Sequence, residues 1–456
     1  MDRFFKLHEN GTNVRKEVIA GITTFLAMAY IIAVNPNFLE VTGMPKGAVL
    51  TATCLTAGFT TILMGIYANL PFALASGMGL NAFFAYTVVL DKQIPWEVAL
   101  AAVLVEGVIF IILSLTKVRE AVVNAIPHTL KLAVTAGIGL FIAFIGFVNA
   151  GIVIKNDATL VGIGDFTSPK TIVTVIGIIV IVVLSKRKVK GSILWGILAS
   201  TAIAWVYALI NPITASESYQ IFLPNGIFKY ESIKPIVFKA LSIDKGYIFD
   251  PQKLWMFATV IFTFLFVDFF DTVGTLVGVA SKVGMVDENG KVKNAGKALL
   301  VDSVGTTFGA LMGTSTVTTY VESSAGVAEG GRTGLTSVVT GILFLLAMFF
   351  APIFMAIPGC ATAPALIVVG FYMMENIVKV NFMDITEGVP AFITIALMPL
   401  TYSIGDGLTL GILSYVIINT VNNIVTKETD NKKRISPIMY VLAFLFIVKL
   451  IVTGGH

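Results

Sequence analysis

The sequence is poor in charge. Only 13% of its 456 residues are Asp, Glu, Lys or Arg, against 56% hydrophobic residues. A soluble domain carries about twice that share of charge. Apolar runs recur about every 20 residues from Val18 onward, which marks a polytopic membrane protein and leaves no stretch for a separate soluble domain. Cysteine is scarce too: Cys54 and Cys360, one in each half, offer no disulfide framework. The three histidines, His8, His128 and His456, lie at termini or a connector and none looks like a metal ligand. Neither His-Glu-x-x-His nor Gly-x-Ser-x-Gly occurs, so the common zinc and serine hydrolase motifs are absent. Basic residues are confined to short connectors, so the net charge of +4 fits cytoplasmic loops and not a nucleic-acid surface. Met1 to Leu7 is short and charged and does not read as a cleavable leader.

What is present is a series of helical runs. Spans are predicted near 17–36, 46–67, 71–90, 95–116, 130–149, 171–185, 191–210, 254–281, 297–313, 315–327, 334–352, 360–378, 388–404 and 407–426. That is about fourteen crossings, several too short or too polar to span as single helices. Basic connectors keep one phase: Arg15 and Lys16, Lys117 and Arg119, Lys186 to Lys190, Lys291 and Lys293, Lys432 to Arg434. The positive-inside rule then places the N-terminus in the cytoplasm of a multi-pass cell-membrane protein. Residues 211–253 read as an external excursion with amphipathic pieces. Residues 437–452 read as an interfacial helix, a hairpin or a further crossing.

The stretch from Gly313 to Arg332 is unlike a lipid-crossing helix, being built of glycines, hydroxyls and one embedded acid, Glu322. Irregular backbone at membrane depth is tolerated only where it is buried in protein or lines a cavity. A second polar feature lies within 254–281, where Asp268 and Asp271 stand three residues apart, on one helix face, with Thr275 a turn beyond. Intramembrane acids are functional by default, and two close carboxylates share a proton more readily than one. Asp302 and Glu106 also sit in apolar segments, where each could face a polar seam. Gly162-Ile163-Gly164-Asp165 matches the Gly-x-Gly-Asp of intramembrane aspartyl proteases but falls in a polar loop.

One half echoes the other. Gly58-Phe59-Thr60-Thr61, Leu63-Met64-Gly65 and Ala75-Ser76-Gly77-Met78-Gly79 are matched by Gly305-Thr306-Thr307, Leu311-Met312-Gly313 and Ser323-Ser324-Ala325-Gly326. Paired Gly-rich interruptions in two halves point to a transporter site formed by broken helices whose N-terminal N–H groups share one space. The first half contributes Asn81, whose amide both donates and accepts, and Phe83 and Phe84; the second contributes Glu322, Phe269 and Phe270. Amide, carboxylate and rings suit a flat, uncharged, hydrogen-bonding ring better than an inorganic anion.

These motifs resemble the adenine/guanine/hypoxanthine permeases, the azaguanine-permease-like branch of the xanthine/uracil permease superfamily. The resemblance rests on Asp268-Phe-Phe-Asp-Thr-Val-Gly-Thr-Leu, Gly313-Thr-Ser-Thr-Val-Thr-Thr-Tyr-Val-Glu-Ser and Ala328-Glu-Gly-Gly-Arg-Thr-Gly. It extends to the opening Arg15-Lys-Glu-Val-Ile-Ala-Gly-Ile-Thr-Thr-Phe-Leu-Ala-Met-Ala-Tyr-Ile and to Ala75-Ser-Gly-Met-Gly-Leu-Asn-Ala-Phe-Phe-Ala-Tyr. It implies an all-α polytopic fold of about fourteen segments in two inverted repeats of about seven, with broken helices at the site. Core domain would comprise residues 1–116 and 254–353, and gate domain residues 117–253 and 354–456. It implies uptake of purine nucleobases coupled to H+, or to Na+ in its place, with no cofactor and no metal, and dimerisation through the gate domain. Asn81, Asp268 and Glu322 would hold substrate, Asp271 or Asp268 would carry the proton, and Gly79, Thr275, Ser323 and Phe83 would support them. Which aspartate touches the purine stays open. The rival readings are an anion carrier or channel, which needs a basic residue in the site and has only Arg332 nearby, and an aspartyl protease using Asp165.

Overall fold

Helix formation follows the apolar runs. The computed structural model describes residues 2–116, 127–242, 250–282, 294–426 and 433–453. Among these, eight helical segments of 18 residues or more are apolar enough to cross a membrane, from Val14–Glu40 near the N-terminus to Ile404–Val425. The fold is therefore all-α and polytopic, and the helices pack as two groups. In one, Gly334–Ala347 lies against Val14–Met28 and Lys46–Leu63, and Ala295–Met312 against Trp96–Leu115. In the other, His128–Asn149 lies against Gly359–Met374 and Ile385–Leu400, and Pro169–Lys186 against Ser192–Ile210.

Each group is drawn together by facing glycines. A Cβ on Gly334 would stand 1.9 Å from the Gly65 carbonyl oxygen, and one on Gly370 2.4 Å from that of Gly139. Backbone contact this close admits no side chain and gains dispersion over the whole seam, the usual means of helix association in lipid.

Two predicted spans, 71–90 and 315–327, are not single helices. Each begins as a short strand, β1 (Leu74–Ser76) and, in the second half, β4 (Val317–Thr319), and continues as a short helix, Met78–Ala82 or Ser323–Ala328. β1 and β4 cross antiparallel, pairing Leu74 with Thr319, Ala75 with Thr318 and Ser76 with Val317. One threonine clips each strand. Thr61 accepts from Leu74 N at 2.9 Å and donates to Leu74 O at 3.0 Å, and Thr306 does the same for Val317 at 3.1 and 3.2 Å. Backbone groups that hydrocarbon would leave unpaired are thus satisfied inside the protein.

Three regions refine the sequence reading. The excursion at 211–242 is fastened down: Lys229 N donates to Phe349 O (2.9 Å), Thr51 Oγ1 to Glu231 O (2.7 Å) and Phe238 N to Leu311 O (2.7 Å). The loop holding Gly162 contains a hairpin of β2 (Val153–Asn156) and β3 (Leu160–Ile163). The last apolar run is one helix, Pro437–Thr453, packed along Ile404–Val425, with Phe446 edge-on to Phe262 at 5.4 Å.

Just before that helix, Lys433 Nζ lies 2.5 Å from Asp384 Oδ2 and 2.8 Å from Glu387 Oε1. The Lys433 ammonium, with Thr386, holds the Asp384 carboxyl below its usual range. A depressed carboxylate contributes stability above its unfolded value of about 4, and that contribution is lost as pH falls through the lower folded value. Lys433→Met is therefore expected to lower thermal stability at pH 7 by about 1 kcal/mol or less, the pair being partly exposed. The difference from the parent should shrink below about pH 4 in detergent melts. A gap that stays constant with pH would exclude ion pairing as its source.

Candidate functional site

The strand crossing brings the two halves' polar residues to one place. Asn81 is fully buried in the short helix after β1, and Ser315 Oγ, just before β4, donates to its Oδ1. Its Nδ2 has no partner among the described residues. An amide donor left open in a buried seam costs about 1–3 kcal/mol unless something else receives it.

Glu322 follows β4 and stands at the N-cap of Ser323–Ala328. Tyr30 donates its hydroxyl to Glu322 Oε1 at 2.6 Å. Tyr30 comes from the break between Val14–Met28 and Ile31–Glu40. The Glu322 side chain is half-buried rather than sealed. Tyr320, its ring 6.5 Å from that of Tyr30, donates to Ser76 O on β1 at 2.5 Å. Ser323 Oγ accepts from Ala73 N at 2.9 Å, tying the start of the helix after β4 to the residue before β1.

The acids divide. Asp268 is fully buried on Pro251–Lys282, and so is Asp302 on Ala295–Met312. Thr272 Oγ1 lies 3.4 Å from Asp268 Oδ1, 3.0 Å from Asp302 Oδ2 and 3.2 Å from Thr318 Oγ1 of β4. One hydroxyl thus joins two carboxylates to the strand that leads to Glu322. The side chains of Asp271, Phe269 and Phe270 lie outside the described residues. Thr275 Oγ1 turns back to Thr272 O at 3.1 Å.

Phe83 and Gly79 have packing roles. Phe83 is 2% exposed and meets Phe264 edge-on at 4.9 Å, inside the hydrophobic core. A Cβ on Gly79 would stand 2.7 Å from Ile138 Cγ2, so this glycine lets the short helix approach His128–Asn149. Glu106 is buried in the length of Trp96–Leu115.

Three contributors went unremarked in the sequence. Tyr30 reads there as one more aromatic in an apolar run. Asn35, beside Pro36 in such a run, was a visible signal: it is fully buried, and Nδ2 reaches Thr53 Oγ1 (2.8 Å) and Thr314 Oγ1 (2.9 Å). Glu17 is fully buried and accepts from Arg332 N (2.8 Å), Thr336 N (3.1 Å) and Thr336 Oγ1 (2.6 Å), fixing the turn after Ser323–Ala328.

The rival chemistries do not find their residues. Arg332 Nη1 donates to Val327 O (2.6 Å) and Gly331 O (2.8 Å), capping the short helix instead of presenting its charge to the crossing. Asp165 is an exposed turn acid whose Oδ1 accepts from Thr167 N and Oγ1. Among the described residues no group of three or more His, Cys, Asp or Glu could hold a metal ion. Cys54 and Cys360 are buried free thiols.

Comparison with known proteins follows the same line. The xanthine/uracil permease model, described as a permease family, matches residues 15–409. The chain is 45% identical to the guanine/hypoxanthine permease PbuG of Bacillus subtilis, covering 99% of each chain. It is 42% identical to the adenine permease AdeP of Escherichia coli K12, covering 100% of this chain and 97% of that one. Among solved structures, the transmembrane domain of the cyanobacterial bicarbonate transporter BicA superposes with a TM-score of 0.63 at 15% identity. That match covers 88% of this chain and 97% of BicA's domain, and shows a shared fold. A permease family match and full-length permease relatives leave no room for the protease reading. The chain is a multi-pass membrane permease, not an enzyme, and belongs to the xanthine/uracil permease family.

Proposed function

We propose that this permease carries purine nucleobases such as hypoxanthine, guanine and adenine across the cell membrane by proton-coupled alternating access. The observation that carries the reading is the half-buried Glu322 carboxylate, held by Tyr30 just after β4, with the open amide of Asn81 on the short helix that follows the paired strand β1. A carboxylate accepts ring and exocyclic N–H groups in charge-assisted bonds, and an amide donor suits a ring nitrogen or carbonyl. Among the described residues no Lys or Arg is buried, which disfavours an anion. The names of the relatives PbuG and AdeP agree in substrate class.

Coupling falls to Asp268 and Asp302. The single Thr272 hydrogen serves one of the two carboxylates at a time, which favours protonation of the other, and Thr318 links that pair to β4, which leads to Glu322. Asp302 thereby joins Asp268 as a candidate proton carrier beside Asp271, whose side chain lies outside the described residues. Residues 1–116 and 254–353 form the core that carries the crossing, and 117–253 and 354–456 the gate against which it moves. The N-terminus lies in the cytoplasm, and gate surfaces pair the protomers.

Labelled hypoxanthine uptake into cells lacking purine transporters tests this. Uptake should collapse with an uncoupler and ignore Na+ removal. Asp302→Asn should keep hypoxanthine binding within about threefold yet lose accumulation against a gradient at least tenfold, as expected of a group that acts in coupling and not in substrate contact. Uncoupler-resistant, Na+-dependent accumulation would overturn proton coupling; failure to bind or move hypoxanthine would overturn the substrate.

A further inference from the structure

Two features at opposite ends of the molecule complement one another. At one end a cavity of about 1130 Å³ separates the helix groups, lined by Val34, Phe38 and Tyr86 on one side and Asn149, Pro358 and Leu366 on the other. At the other end the groups touch. Lys190, in the turn between Pro169–Lys186 and Ser192–Ile210, places Nζ 2.5 Å from Glu329 Oε2. Beside it the backbone of Gly191, at φ +66°, comes so close to Leu26 that a Cβ would stand 3.0 Å from its carbonyl oxygen. The two ends are set apart by the segment Val14–Glu40. Thr12, just before it, donates to Gly330 O (3.2 Å) next to Glu329, whereas Glu40 lines the cavity. From Leu26, beside Gly191, to Glu40 it spans about 21 Å at helical rise, and from Val14 to Glu40 about 40 Å.

Glu329 is not a loose surface acid. It is the C-cap of Ser323–Ala328, and its turn is fixed by Arg332 on one side and Glu17 on the other. A pull on Glu329 therefore acts on the element that begins with Glu322.

We propose that Lys190 is a positioning residue for transport: its ion pair with Glu329 keeps one end of the carrier closed while the other stands open, and it breaks when the site opens toward Lys190. This rests on the alternating-access reading above. It goes further by assigning to two residues outside the binding site the choice of which face is open.

The test uses the full-length protein with Cys54→Ser and Cys360→Ser. Lys190→Cys with Glu329→Cys, bridged by a short, reducible bis-methanethiosulfonate, should stop hypoxanthine uptake at least tenfold, leave hypoxanthine binding within twofold, and recover with reductant. A bridged carrier that transports at the unbridged rate, or no bridge formed, overturns the proposal. Lys190→Glu and Glu329→Lys should each lower uptake about two- to fivefold, the range of a partly exposed pair, and the two together should restore it. A readout free of substrate comes from Asn37→Cys in the cavity. Its labelling by a membrane-impermeant maleimide should fall in Lys190→Glu and return in the charge-swapped pair; unchanged labelling would overturn the latch. A parent protein that binds no hypoxanthine would refute the substrate reading instead, with the maleimide result still deciding the latch.

Discussion

Glu322→Gln is expected to weaken purine binding about 100-fold or more, with the protein still folded. Gln keeps the volume, and its Oε1 can still accept from Tyr30, the 2.6 Å bond seen for Glu322. What changes is the second oxygen, which becomes an NH2 and meets purine N–H groups donor against donor. Removing one partner of a desolvated, charge-assisted contact costs about 2–5 kcal/mol, whereas a neutral hydrogen bond is worth about 1. The charge and not the bond count therefore decides the size of the effect. Tyr30→Phe should be milder, about tenfold, because the carboxylate stays but loses its anchor. Scintillation-proximity binding of labelled hypoxanthine on purified protein, with a melting curve for each variant, separates affinity from folding. Binding of Glu322→Gln within threefold of the parent would remove Glu322 from the site.

Gly334→Ala should abolish folded protein, the largest stability effect expected of any single methyl group here. Its Cβ would lie 1.9 Å from Gly65 O, 2.6 Å from Gly65 C and 2.7 Å from Gly65 Cα, and a Cβ on Gly65 would in turn lie 2.3 Å from Gly334 O. All are backbone atoms, so no rotamer relieves the clash and the helices must part. Overpacking costs about 1–3 kcal/mol even where side chains can yield, and more where they cannot. Parting them would also strain the bond from Gly334 N to Asn69 Oδ1 (2.8 Å) and the Glu17 contacts next to it. Gly296→Ala is the control, since nothing lies within 4 Å of a Cβ there. Fluorescence-detected size exclusion should show a monodisperse control and an aggregated Gly334→Ala; a native profile for both would mean the seam tolerates a methyl group.

Much of this was legible in the sequence, for physical reasons that differ by residue. Hydrocarbon filters composition severely, so Glu322, Asn81 and Asp268 stood out as polar groups with no business in lipid, and the Gly-Ser-Thr content of 313–332 announced a break. Strands β1 and β4, at three residues each, are too short for any alternation to show. Their pairing is a contact across some 240 residues that no local pattern encodes. Tyr30 was hidden because a tyrosine in an apolar run is ordinary until its hydroxyl is seen to have a partner. Asp302 became interpretable only when Thr272 was found between it and Asp268. Phe83, a supporting ring by its place beside Asn81, packs edge-on to Phe264 in the core, a contact that no local pattern shows. The helix Pro437–Thr453 could not be placed from apolarity alone, because a lipid-facing helix and one leaning on a neighbour have the same composition.

The threonine clips have an evolutionary consequence. Thr61 and Thr306 hold the crossing through main-chain atoms of Leu74 and Val317, and the strands hold each other in the same way. Main-chain atoms are common to every amino acid. Side chains that hang from this frame can therefore be exchanged without dismantling it, so that a lineage can drift from one cargo to another by a few substitutions while its architecture stands still. A similar architecture in a bicarbonate transporter at 15% identity is what such a frame would permit.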